Sequence, residues 1–92
     1  MMDPGLVKFV EFLNQNKIRA TYRAVADAAD VPHRSVGALL AERSPLASWV
    51  VNASSGEPTG YSDNEKHPDL HLHKEIIRSG EELIRRMKRE KR

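Results

Sequence analysis

Four histidines, 13 carboxylates and no cysteine hold most of the reactive chemistry in this 92-residue chain. His67, His71 and His73 fall within seven residues, with Asp69 among them. On a helix His67 and His71 would share a face at i and i+4, a spacing that can hold a metal. Pro68 opposes helix at His67, His73 would point elsewhere, and no second ligand cluster completes a tetrahedral site. Incidental or structural histidines are therefore the reading kept, and no metal or other cofactor is expected. The carboxylates lie mostly among bases on helix surfaces, as solvated ion pairs do, and form no pair in an apolar setting suited to acid–base catalysis. There is no Gly-rich phosphate loop and no locally supported Ser-His-Asp arrangement. The absence of cysteine removes disulfides, thiolate metal sites, thiol nucleophiles and thiol alkyl acceptors. No catalytic residue is expected, and the chain reads as a non-enzyme.

A second kind of chemistry is carried by polar and basic residues at helix starts. Thr21-Tyr22-Arg23 and Pro32-His33-Arg34-Ser35 each open a helical pattern. Helix N-termini offer free N–H groups and the positive end of a dipole to phosphate. Val36-Gly37-Ala38 keeps the second of these helices slim, so that its face can approach a groove closely. Arg34 is long, planar and always charged, suited to base edges or to insertion between them. The alternative is an ordinary helical hairpin with a few surface charges.

These residues need elements to hold them. Asp3 reads as an N-cap with Pro4 at the first helical position. Leu6, Phe9, Val10 and Leu13 then recur at helical spacing, predicting a first helix over residues 4–15. Ile18-Arg19-Ala20 reads as a short connector that could be extended. Thr21 caps a second helix with Tyr22, Val25, Ala26 and Ala29 on one face. Asp30-Val31-Pro32 breaks the pattern, and a third helix follows over residues 32–43 with Val36, Leu39 and Leu40 inward. His33, Arg34, Gly37, Ala38, Ala41 and Glu42 occupy its other faces. Two short helices at this separation have the form of a helix-turn-helix. Trp49-Val50-Val51 is the one convincing strand, bounded by Pro45 and by the turn-rich run Asn52-Ala53-Ser54-Ser55-Gly56. Glu57-Pro58-Thr59-Gly60-Tyr61 could return as a partner strand or an irregular wing. From Asp69 a helical stripe is read through Leu72, Ile76, Ile77, Leu83, Ile84 and Met87. Ser79-Gly80-Glu81-Glu82 has the capping-box form and places a break near Ser79, with one continuous helix as the close alternative.

Length and charge set the frame. At 10.4 kDa the chain is one domain, with 39% hydrophobic and 30% charged residues and a mean hydropathy of −0.60. No apolar run approaches the roughly 18–20 residues of a membrane-spanning helix. The N-terminal residues carry no basic region before an apolar stretch, so no secretory signal is expected. A cysteine-free chain suits a reducing compartment, and a cytoplasmic location is the expectation. Six of the 15 basic residues and one of the 13 acidic ones fall within residues 85–92. Nine bases against twelve acids remain before them, so the body is near −3 and the tail near +5. Such a tail reads as a solvated helix end or as an electrostatic arm for nucleic acid.

Thr21-Tyr22-Arg23-Ala24-Val25-Ala26, then Pro32-His33-Arg34-Ser35-Val36-Gly37-Ala38-Leu39-Leu40, then Val50-Val51-Asn52-Ala53 and Gly56 resemble the DNA-binding domain of the alkylguanine-DNA alkyltransferases. The likeness is strongest to their cysteine-free relatives, the alkyltransferase-like proteins, and covers residues 6–62. It implies a winged helix-turn-helix that meets the minor groove through the third helix. By that resemblance Arg34 fills the gap left by a flipped nucleotide and Tyr22 lies near its phosphate. Ser35 and Gly37 pack against the DNA backbone. Where the family has Pro-Cys-His-Arg, or Pro-Trp-His-Arg in the relatives, this chain has Leu46-Ala47-Ser48-Trp49. Ala47 stands in the place of the acceptor cysteine, which excludes alkyl transfer.

The expected fold is mainly α with a small β wing. A winged helix-turn-helix core spans residues 4–62 and a C-terminal basic helical extension spans 69–92, all within the single domain 1–92. The expected partner is double-stranded DNA, contacted through Thr21, Tyr22, Arg23, His33, Arg34, Ser35, Gly37 and Ala38. Ala47, Ser48, Trp49 and Asn52 are candidates for a base pocket or the wing. The expected function is non-enzymatic DNA binding by a monomer, with sensing of alkylated guanine by base flipping as its sharper form. The alternatives are a sequence-specific winged-helix regulator without base flipping, or an adaptor that meets a protein partner through its C-terminal helix.

Overall fold

The computed structural model describes residues 4–40, 45–72 and 74–90. The expected cap at Asp3, the end of the third helix beyond residue 40, His73 and the last two basic residues lie outside the described residues. The chain is mainly helical with a small three-stranded parallel sheet. Helix α1 spans Pro4–Asn16 and buries Leu6, Phe9, Val10, Phe12 and Leu13. These are the apolar positions of its periodicity, so local pattern and burial agree. Lys17 turns into the left-handed region at φ 56°, and the Ile18 N–H donates to the Leu13 carbonyl at 3.1 Å, closing the helix end.

Strand β1, Arg19–Thr21, is central and buried along its whole length. Strand β2, Val50–Val51, lies parallel on one side, pairing Ala20 with Val50. Strand β3, Ile76–Ile77, lies parallel on the other, pairing Ala20 with Ile77. Helix α2 spans Tyr22–Ala29 and follows β1 without a loop. The Thr21 hydroxyl accepts the Ala24 N–H at 3.0 Å and so caps it. Asp30, at φ 59°, ends it in a left-handed turn. Pro32 is extended, His33–Ser35 forms a tight 3₁₀ turn, and helix α3 spans Val36–Leu40. Helix α4 spans Gly80–Glu90, and the Ser79 hydroxyl accepts the Glu82 N–H at 3.1 Å.

Two expectations are corrected and one open alternative is decided. Residues 69–72 and 74–78 are not helical: turns lead to Leu72, which is 67% exposed, and Ile76–Ile77 pairs with β1. The spacing of Leu72 to Ile76 matches a helix, but two isoleucines with an open strand beside them find sheet partners instead. Glu57-Pro58-Thr59-Gly60-Tyr61 does not return as a strand. Gly56 and Gly60, at φ 71° and 76°, keep the chain turning there. Trp49 does not begin the strand, because Ala47–Trp49 is a 3₁₀ turn that leads into β2.

The core joins α1, α2 and the sheet, with Trp49, Leu70, Ile77 and Leu83 fully enclosed. Gly80 lies in close contact with α2. A Cβ there would lie 2.5 Å from the Asp27 Cβ and 2.6 Å from the Ala28 nitrogen.

Candidate nucleic-acid interface

The start of α2, the 3₁₀ turn before α3 and the segment 59–61 enclose an open groove of about 560 Å³. It is lined by Tyr22, His33, Arg34, Gly37, Leu40, Thr59 and Tyr61. Each reaches it for a local reason. Capping by Thr21 places Tyr22 at the first helical residue. The Tyr22 hydroxyl accepts the Thr59 N–H at 3.2 Å, which ties the far wall of the groove to α2. Extended Pro32 throws His33 and Arg34 outward into solvent, while Val36 and Leu40 hold α3 on the core. A Cβ at Gly37 would meet nothing within 4 Å, so the bare residue leaves groove space open.

The far wall is fixed from below by a charge cluster. Arg19 Nη1 donates to the Gly56 carbonyl at 2.8 Å and lies 3.8 Å from Glu57 Oε2. Lys66 Nζ lies 2.9 Å from Glu57 Oε1, and His71 Nε2 lies 2.6 Å from Glu57 Oε2. Burial alone would raise the Glu57 pKa, but the hydrogen bonds and charges of Lys66 and His71 outweigh it and hold the carboxyl below the usual range. The Asn52 N–H donates to the Glu57 carbonyl at 2.9 Å and the Gly56 N–H to the Asn52 carbonyl at 2.8 Å, closing the turn that leads into the wall.

Of the residues expected to contact DNA, Tyr22, His33, Arg34 and Gly37 come together in this groove. Ala38 is exposed beside them, Ser35 is half-buried and Arg23 is exposed on α2. Thr21 is 2% exposed with its hydroxyl engaged as a cap, so it supports the site from within. Ala47, Ser48 and Trp49 are fully buried and do not line this groove. The Ser48 hydroxyl donates to the Pro45 carbonyl at 2.6 Å and accepts the His67 N–H at 2.9 Å. The Trp49 indole N–H donates to Asn14 Oδ1 at 2.9 Å, and its ring lies 4.9 Å from that of His67. The Asn52 side chain accepts the Ser54 N–H at 2.8 Å and shapes the turn.

Sequence reasoning missed Leu40, Thr59 and Tyr61 as lining residues. Tyr61 could have been flagged as an aromatic following Gly60 in a polar, turn-rich stretch. His67 and His71 do not share a helix face: His67 Nδ1 accepts the Asp69 N–H at 3.0 Å, and His71 faces Glu57. Among the described residues no three His, Cys, Asp or Glu side chains are grouped to hold a metal.

Two phenols, an imidazole and a guanidinium line the groove, with no carboxylate among them. Among the described residues Arg34 forms no ion pair, so its charge is directed at solvent. The arrangement suits an anionic partner with planar groups. No family model, no curated protein and no solved structure matches the chain. Among the described residues no helix is long and apolar enough to cross a membrane.

Proposed function

We propose that the chain is a non-enzymatic, cytoplasmic double-stranded DNA-binding protein of the alkyltransferase-like type. In this reading it is a winged helix-turn-helix. The 3₁₀ turn and α3 enter the DNA groove, the 52–61 segment serves as an irregular wing, and Arg34 projects into the duplex. The observation that supports it is the groove itself, which brings Tyr22, His33 and Gly37 together with the exposed guanidinium of Arg34. A second reading is a winged-helix regulator that binds normal duplex without base flipping. The burial of Ala47, Ser48 and Trp49 favours it, because those residues stand where the family places its pocket loop.

Titration against matched normal and alkylguanine-containing duplexes at two salt concentrations tests both. Binding to both duplexes that weakens with salt is expected. Tighter binding to the alkylated duplex selects the first reading, and equal binding selects the second. Arg34→Ala should weaken binding by roughly 1–3 kcal/mol with the fold intact. No duplex binding at low salt, or equal affinity of the variant, overturns the assignment.

A further inference from the structure

Helix α4 leaves part of its apolar side uncovered. Leu83 is fully buried, but Ile84 and Met87 are only half-buried. With Phe9 of α1 and Ala28 of α2 they floor a trough of about 240 Å³ between α1 and α4, rimmed by Lys8 and Lys88. None of these residues lines the Arg34 groove. Both lysines are exposed, and among the described residues neither is ion-paired. Glu81, nearby on α4, is engaged by Arg85 at 3.3 Å and does not neutralise the rim. The trough has room for one or two aliphatic side chains, below the roughly 300 Å³ at which small-molecule sites begin.

We propose that this trough docks an acidic amphipathic helix of a partner protein. The partner's apolar side chains enter over Ile84 and Met87, and its carboxylates face Lys8 and Lys88. The apolar floor favours a peptide over nucleic acid, since a sugar-phosphate backbone has nothing to bury there. The unbranched Met87 thioether can adapt to the shape of an inserted side chain. The rim lysines supply orientation and rate of encounter, and the floor supplies affinity. The inference stands independently of the DNA reading, because the two surfaces share no residue.

The test uses the full chain and a fluorescein-labelled peptide of about 14 residues, with two Leu at helical spacing i and i+4 and Glu at the flanking positions. A scrambled peptide of the same composition and a DNA duplex serve as comparisons. Peptide-induced amide shifts should map to α1, Ala28 and α4. The double reversal Lys8→Glu with Lys88→Glu, confined to exposed positions, should weaken binding about tenfold. Met87→Ala should weaken it further, with Trp49 emission confirming that the core is intact. Absence of peptide binding, equal binding of the scrambled peptide, or α1–α4 shifts caused by duplex and not by peptide would each overturn the proposal. Loss of duplex binding with peptide binding retained overturns only the DNA reading.

Discussion

Trp49 illustrates how far one residue's surroundings can decide its role. It stands where the family resemblance puts an arginine near DNA, yet it is fully enclosed, with its N–H spent on Asn14. Removing it leaves a large cavity and an unsatisfied side-chain carbonyl. Trp49→Ala should therefore cost about 3–5 kcal/mol, most of the margin in a domain whose total stability is about 5–15 kcal/mol. Denaturant unfolding measures this. The native emission should be blue-shifted and should stay unchanged on saturation with duplex. Strong quenching by duplex would place the indole at the DNA instead. Arg34 is the converse case. Its exposure, and the lack of an ion pair among the described residues, leave its charge available, so truncation should affect binding and spare stability.

At the scale of elements, the contact between α4 and α2 depends on the missing side chain of Gly80. The Ala28 nitrogen and the Asp27 Cβ are both too close for a methyl group, and neither is the far end of a flexible side chain. Gly80→Ala should push α4 off α2 and lower stability by about 1–3 kcal/mol, despite alanine's better helix propensity. A thermal melt decides, and a raised midpoint would show that the helices can part without cost. The turn at 52–57 makes a pH prediction. Glu57 has a folded-state pKa below its ordinary 4.5, so its stabilising contribution is present above about that pH. The contribution is lost as pH falls through the lowered value. Glu75, held down chiefly by its hydrogen bond from Arg86, acts in the same direction. Glu57→Gln should flatten part of the fall in melting temperature below pH 4.5, and Glu75 should account for part of what remains. A variant melting curve parallel to the native one would remove Glu57 from the acid response.

At the scale of the whole molecule, the basic C-terminal segment is less available than its composition suggests. Arg85 pairs with Glu81, and Arg86 with Glu75 and Glu82. The helix packs chiefly on α2 and adjoins β3, and none of its residues lines the Arg34 groove. Of the two sequence-based readings of this tail, a solvated helix end and an electrostatic arm for nucleic acid, the arm would bring it to phosphates. Each neutralised phosphate contributes about −0.9 to the salt slope of binding. Replacing Lys88 and Arg89 together by Gln should change that slope for duplex binding by less than about one unit. A loss of two units would bring the helix end into the DNA interface.

The first two helices, the cap at Thr21, the break at Asp30–Pro32 and the break at Ser79 were legible in the sequence. Each rests on residues within one or two turns of each other. The same locality made His33, Arg34 and Gly37 readable together, and the family resemblance joined Tyr22 to them. Tertiary structure alone decided that Arg19–Thr21 is the central strand and that Ile76–Ile77 is sheet. Strands of two or three residues carry too little pattern of their own and are selected by partners far along the chain. It also decided that Ala47, Ser48 and Trp49 are core, and that Thr59, tied to the Tyr22 hydroxyl, and Tyr61 close the groove. Burial and groove closure depend on which segments meet in space, and helical periodicity records only which side of its own helix a residue occupies.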